Sequence, residues 1–145
     1  MTHVNLGKQH PTAYQHVLAL NSAADAALAE AGLDPKLGEL VKIRVSQING
    51  CAFCLRMHAR DALALGETAD RLAVVAAWWE SQYFTEQEQA ALALAEDVTR
   101  LPVPDRRAWD NGSLTDEQVS AISWLAIVMN TWNRIAICSH TPVGP

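Results

Sequence analysis

The sequence has 145 residues, half of them apolar, and its 16 acidic against 11 basic side chains give a formal charge of −5. That length and apolar share suit one domain with a real core, and an acidic balance with no basic run excludes a phosphate-binding surface and so nucleic acid as a partner. No stretch approaches the ~20 unbroken apolar residues that cross a bilayer. The opening Met1-Thr-His-Val-Asn-Leu-Gly-Lys8 also lacks the charged and apolar regions of a secretory signal, so the expected setting is cytoplasmic, with no membrane contact.

The chain is rich in Ala and Leu and nearly free of alternating β-branched runs, which predicts an all-α fold. Pro11 opens a first helix to about Ala31, with Gly32 after its end. Asp34-Pro35 caps and starts a second, which Asn49-Gly50 can close. Cys51 falls at or near the start of a third helix that Gly66 ends, and Thr68 caps a fourth reaching Tyr83. Thr85 with Glu88 forms a capping box for a fifth, stopped before Pro102, and Thr115 with Gln118 forms another for a last helix to about Ile137. Leu101 to Ser113 is the one extended loop. The expectation is about six helices in a single domain over residues 1–145, with no linker or low-complexity segment. Leu33 to Asn49 and Leu114 to Asn130 echo each other at a constant offset of 81, each running from a capped start through an apolar helix to an Asn.

The chemistry concentrates in Asn49-Gly-Cys-Ala-Phe-Cys-Leu-Arg-Met-His58. Cysteines at i and i+3 on a helix face the same way, close enough for a disulfide. Three cysteines make a poor structural framework, and in a reducing compartment a close pair is catalytic, redox-active or metal-binding. A free thiol near pKa ~8.5 is only a few per cent ionised at pH 7, and lowering it by one unit takes ~1.4 kcal/mol of preferential thiolate stabilisation. A helix N-terminus and a nearby imidazolium together can supply that. His58 lies one turn after Cys54 and two after Cys51, so it is better placed to exchange a proton with Cys54. The helix dipole alone favours Cys51, which is nearer the helix start and expected to be the more exposed of the two. Glu39, twelve residues before Cys51, stands among Leu37, Leu40, Val41, Ile43 and Val45, where periodicity does not settle whether it faces solvent or the interior. Directly beside a thiolate it would raise the thiol pKa, so its use would be as a proton acceptor acting through His58 or a water.

Glu39, Cys51-x-x-Cys54 and His58, on helices in this order, resemble the alkylhydroperoxidase AhpD-like family of the carboxymuconolactone decarboxylase superfamily. The resemblance is dense from Leu33 to Gly66 and extends to Trp132-Asn-Arg-Ile-Ala136 on the last helix. It implies an all-helical fold and a thiol-dependent peroxidase that forms a homo-oligomer: a dimer, trimer or hexamer. In its terms Cys54 is the peroxidatic cysteine, Cys51 resolves it, and Glu39 and His58 relay protons. The partners are a peroxide and an external dithiol reductant, and no cofactor or metal is required. Phe53 stands where the best-known member of the family has a His before its second cysteine, which removes one proton-handling group.

Two other readings compete. Decarboxylation of carboxymuconolactone needs no redox cysteine pair, so the CxxC argues against it. A non-enzymatic metal site could draw on Cys51, Cys54, His58 and Glu39, although zinc-site cysteines more often recur as two separated pairs. Cys138 reads as a buried apolar filler, and Trp78, Trp79, Trp124 and Trp132 as core or subunit-interface anchors. His3, His10 and His16 read as surface residues, and nothing in the sequence brings Arg134 or His140 to the site.

Overall fold

A computed structural model describes residues 3–101 and 109–145. Among them it forms α-helices and one 3₁₀ helix, with no strand: α1 (Leu6–Gln9), α2 (Pro11–Glu30), α3 (Pro35–Asn49), α4 (Ala52–Ala64), α5 (Ala69–Val74), the 3₁₀ helix Val75–Glu80, α6 (Glu86–Arg100) and α7 (Asp116–Cys138). The expected caps are in place. Asp34 accepts from the Lys36 N–H ahead of α3, and Thr85/Glu88 and Thr115/Gln118 form capping boxes before α6 and α7.

Two elements depart from expectation. A four-residue α1 precedes Pro11, capped by the Asn5 side chain accepting from the Lys8 N–H. The single helix expected from Thr68 to Tyr83 is instead α5 followed by the 3₁₀ turn, with Ala77 out of helical geometry. The tighter winding brings residues i and i+3 into line. Val75 is buried with Leu40 and Leu92, while the Trp78 indole N–H donates to Glu96 Oε1 at 2.9 Å. The Leu101–Ser113 loop begins with Leu101 in left-handed geometry; its residues 102–108 lie outside the described residues.

Helix α3 is the centre of the fold, packed by α2, α4, α6 and α7. Leu37, Leu40, Val41, Ile43 and Val45 point several ways around it and all are buried, as a helix apolar on every side requires. Gly38 lets α2 close in, since a Cβ there would stand 2.7 Å from Leu28 Cδ2. Two polar connections fix the register of the neighbours. Arg44 donates to Glu96 of α6 at 2.7 Å. Fully buried Asn133 of α7 donates to Ser46 Oγ at 3.0 Å and accepts from Asn49 Nδ2 at 2.9 Å. Asn49 also donates to Asn130 Oδ1, and Asn130 donates to Thr99 Oγ1 of α6.

Cys138 is exposed, not a buried filler. It lies five residues past buried Asn133, about 140° around the helix and so off the face that meets the core. Trp79 and Trp124 are 59% and 48% exposed and take no part in the core. Trp78 and Trp132 are half-buried and give their indole N–H groups to Glu96 and Asn21. His3, His10 and His16 are at the surface, as expected. No helix among the described residues is long and apolar enough to cross a membrane.

Candidate active site

The turn that delivers the cysteines begins at the end of α3. Gly50 takes φ 70°, a left-handed geometry that an L side chain enters only with strain. This lets the Gly50 and Cys51 N–H groups both bond back to the Ser46 carbonyl. Cys51 is then the N-cap of α4, its sulfur 3.3 Å from the Cys54 N–H. Cys51 and Cys54 are joined as a disulfide across a Cα–Cα distance of 5.4 Å. The expectation that Cys51 is the more exposed does not hold: the two are 1% and 2% exposed. They differ in what they face. Cys54 lines a cavity of about 750 Å³, and Cys51 does not.

His58 lines the same cavity one turn after Cys54. Its Nδ1 lies 2.9 Å from Glu39 Oε2, bringing two of the expected site residues together across α3 and α4. Glu39 is buried. Its other oxygen, Oε1, accepts from Lys42 Nζ at 3.1 Å, and Lys42 also pairs with Asp25 of α2 at 3.3 Å. Burial alone would raise the Glu39 carboxyl, but the hydrogen bond with His58 and the Lys42 ammonium together outweigh it and hold the group below its ordinary value. The Lys42 ammonium likewise pays for burial but is raised above its ordinary value by Glu39 and Asp25. Glu39 is therefore an ionised acceptor near neutrality, and Nδ1 of His58 carries the hydrogen it accepts. That keeps the other imidazole nitrogen free as a base. This arrangement orients a histidine and balances an imidazolium; it does not favour parking the proton on Glu39 itself.

The rest of the cavity is mostly apolar. Phe53 and Met57 of α4, Tyr14 and Leu18 of α2, and Met129 and Trp132 of α7 form its walls. Phe53, immediately before the second cysteine, is thus a wall residue. Arg134 and His140 do not line the cavity: Arg134 bonds to Asn130, and the His140 ring lies tilted against His3, with centroids 4.2 Å apart.

Among the described residues, the donor atoms that gather closely enough for a cation are those of Glu39, His58 and Asp61, within 4.8 Å of one another. This set differs from the alternative metal site of Cys51, Cys54, His58 and Glu39, whose two sulfurs are joined in the disulfide. One oxygen of its glutamate already holds an ammonium group.

Sequence reasoning missed Lys42 and Asp25. The i,i+3 spacing of Glu39 and Lys42 was a readable sign of a pair on one helix. Asp25 comes from a different helix, and no local pattern announces it. Ser46 and Asn133, which steady the Cys51 turn, were likewise invisible as a pair because 87 residues separate them.

Residues 11–97 match the model of the carboxymuconolactone decarboxylase family. The uncharacterized protein YdfG of Bacillus subtilis is 43% identical over 108 residues, covering 68% of this chain and 70% of that protein. The uncharacterized protein YnjA of Escherichia coli is 33% identical over 70 residues, 48% of this chain and 38% of that protein. A crystal structure from Agrobacterium tumefaciens, of a protein of unknown function provisionally assigned as the antioxidant defence protein AhpD, is similar at a TM-score of 0.86 and 32% identity. It covers 99% of this chain and 100% of that one. With its helical fold and its cysteine pair, the chain belongs to the carboxymuconolactone decarboxylase family, among the AhpD-like proteins.

Proposed function

We propose that the protein is a thiol-dependent peroxidase that reduces alkyl hydroperoxides in the cytoplasm. The observation that carries this reading is the meeting of Cys54 and His58 on one largely apolar cavity, with Cys51 already bonded to Cys54 behind it. In the reduced protein His58 takes the Cys54 proton, and Glu39 balances the imidazolium so formed. The Cys54 thiolate attacks the terminal peroxide oxygen. The O–O bond breaks, Cys54 becomes a sulfenic acid, and the departing alkoxide takes the proton from His58 to leave as an alcohol. Cys51 then attacks the sulfenic sulfur, releasing water and closing the disulfide. An external dithiol restores both thiols and is itself oxidised to a disulfide. The cycle draws on no metal or organic cofactor.

The apolar walls favour a hydroperoxide with a hydrocarbon body over hydrogen peroxide, since each buried methylene contributes ~0.8 kcal/mol to binding. Exposed Trp124 and Ile127, three residues apart on α7, offer an apolar strip for a homo-oligomer, to be checked by light scattering.

The test is a thiol count. One equivalent of an organic hydroperoxide should lower the free thiols of the reduced chain from three to one, and peptide mass spectrometry should find Cys51 linked to Cys54 within one chain. Unchanged thiols, or Cys138 in the dominant disulfide, would contradict the proposal.

A further inference from the structure

We infer that Lys42, braced by Asp25, is a positioning residue that holds Glu39 as a carboxylate against His58. The inference rests on the peroxidase reading for its consequence but not for its geometry.

The glutamate is forked between two partners. Oε2 meets His58 Nδ1 at 2.9 Å and Oε1 meets Lys42 Nζ at 3.1 Å, while Asp25 Oδ1 holds the far side of the ammonium at 3.3 Å. The result is a row of alternating charge, Asp25–Lys42–Glu39, that starts on α2, crosses α3 and meets His58 on α4 in the wall shared with Cys54. The other charged groups near it are Asp61, whose Oδ2 lies 3.8 Å from His58 Nδ1, and Lys8 on the cavity wall. The wall from α7 adds Met129, Trp132, Ile135 and Ala136 and, past its end, Ser139 and Thr141, none of them charged. Lys42 is thus the cation in contact with the buried carboxylate while His58 is neutral. It is itself largely covered, with its side chain 13% exposed, so solvent screens it little.

Removing this charge leaves the burial cost of Glu39 opposed only by the hydrogen bond from His58 in the state that matters, with His58 neutral and waiting for a proton. The carboxyl would then take a proton at higher pH. A protonated Glu39 cannot balance the imidazolium that forms when Cys54 is deprotonated. Activation would therefore fail over the lower part of the pH range and persist above it. A side chain that merely filled space would not produce that pattern.

The experiment follows the Glu39 carboxyl carbon by NMR in ¹³C-glutamate-labelled reduced protein, assigned with Glu39→Gln, alongside the pH dependence of peroxide-driven thiol loss. In Lys42→Met the carboxyl should titrate at higher pH than in the wild type, and the acid limb of the rate profile should move up by about one pH unit, the size of effect an adjacent opposite charge has on a carboxyl. Lys42→Gln supplies the same comparison if the methionine variant does not fold. Lys42→Arg should return the titration to the wild-type position. A Glu39 titration unchanged in the neutral variants, or displaced equally in Lys42→Arg, overturns the inference. If the wild type consumes no peroxide, the peroxidase reading fails while the carboxyl titration still decides the role of Lys42.

Discussion

Helices α3 and α7 carry one sequence pattern 81 residues apart and serve the site in different ways. Both start at a capped turn and bury matching positions: Leu40, Val41, Arg44 and Val45 on α3, Ala121, Ile122, Leu125 and Ala126 on α7. Their last matching residues, Asn49 and Asn130, hydrogen-bond to each other at 2.9 Å. The two then part. After Asn49 comes Gly50, whose left-handed turn ends the helix and makes Cys51 the cap of the next one. After Asn130 comes Thr131, and α7 runs on to Cys138. The positions of Glu39, Lys42, Cys51, Cys54 and His58 are matched by Ser120, Ser123, Trp132, Ile135 and Ser139. The last three of these line the cavity onto which Cys54 and His58 face. The stretch from α3 into α4 carries the groups assigned to the proposed reaction, and the α7 stretch supplies the wall opposite them. Core packing constrains the shared face, whereas the remaining positions and the single residue after the asparagine decide which kind of site each stretch can build.

The contact between the two stretches is where the largest loss of stability is expected. Asn133→Ala removes a fully buried amide that serves Ser46 and Asn49 together, and should cost about 1–3 kcal/mol in chemical denaturation. It should also loosen the turn that positions Cys51. A change within about 0.5 kcal/mol would show that this network does not hold the two helices in register.

The division between chemistry and wall can be tested through matched substitutions. His58→Ala and Glu39→Gln should each slow thiol oxidation by peroxide at least tenfold, equivalent to ~1.4 kcal/mol of barrier. Ser120→Ala and Ser123→Ala, at the positions matching Glu39 and Lys42, should leave the rate unchanged. Equal losses in both sets would erase the distinction.

A stability effect of similar size is expected where the stretches diverge. Gly50→Ala forces a Cβ into the left-handed region and should cost about 1–2 kcal/mol. Thr131→Gly, inside a continuous helix, should cost only a few tenths of a kcal/mol. Urea midpoints compared across the two variants decide it.

The charge row adds a weak pH signature to α3. Glu39 titrates below its ordinary value when folded, so its contribution to stability is complete above its unfolded value and fades as the pH falls through the folded one. Glu39→Gln should therefore flatten the acid side of the stability profile, and a profile parallel to the wild type there would contradict the ionised assignment.

Much of this was legible because the caps are local. Asp34-Pro35, Thr85 with Glu88, and Thr115 with Gln118 mark helix starts within four residues of sequence, and Asn49-Gly50 marks a stop. The burial of Glu39 looked undecided because its apolar neighbours make no single stripe. That same absence of a stripe is the mark of a central helix packed on every side. The four-residue α1 was too short to show a period, and the break inside the expected Thr68–Tyr83 helix falls at Ala77, beside Trp78, whose indole N–H donates to Glu96 on another helix. Lys42 bound to Asp25, and Ser46 bound to Asn133, depend on which helices meet. The apolar character of Cys138 does not show which face of α7 it takes; that depends on the burial of Asn133, which only the structure reveals.

The assignment of the attacking sulfur is decided by trapping the first product. Reduced Cys51→Ser, treated with one equivalent of an organic hydroperoxide and a sulfenic-acid probe, should carry the probe on Cys54 at close to the wild-type rate. Reduced Cys54→Ser should react slowly, because Cys51 does not line the cavity. A dead Cys51→Ser with a Cys54→Ser that reacts at the wild-type rate would place the chemistry on the other sulfur and contradict the proposed role of the cavity.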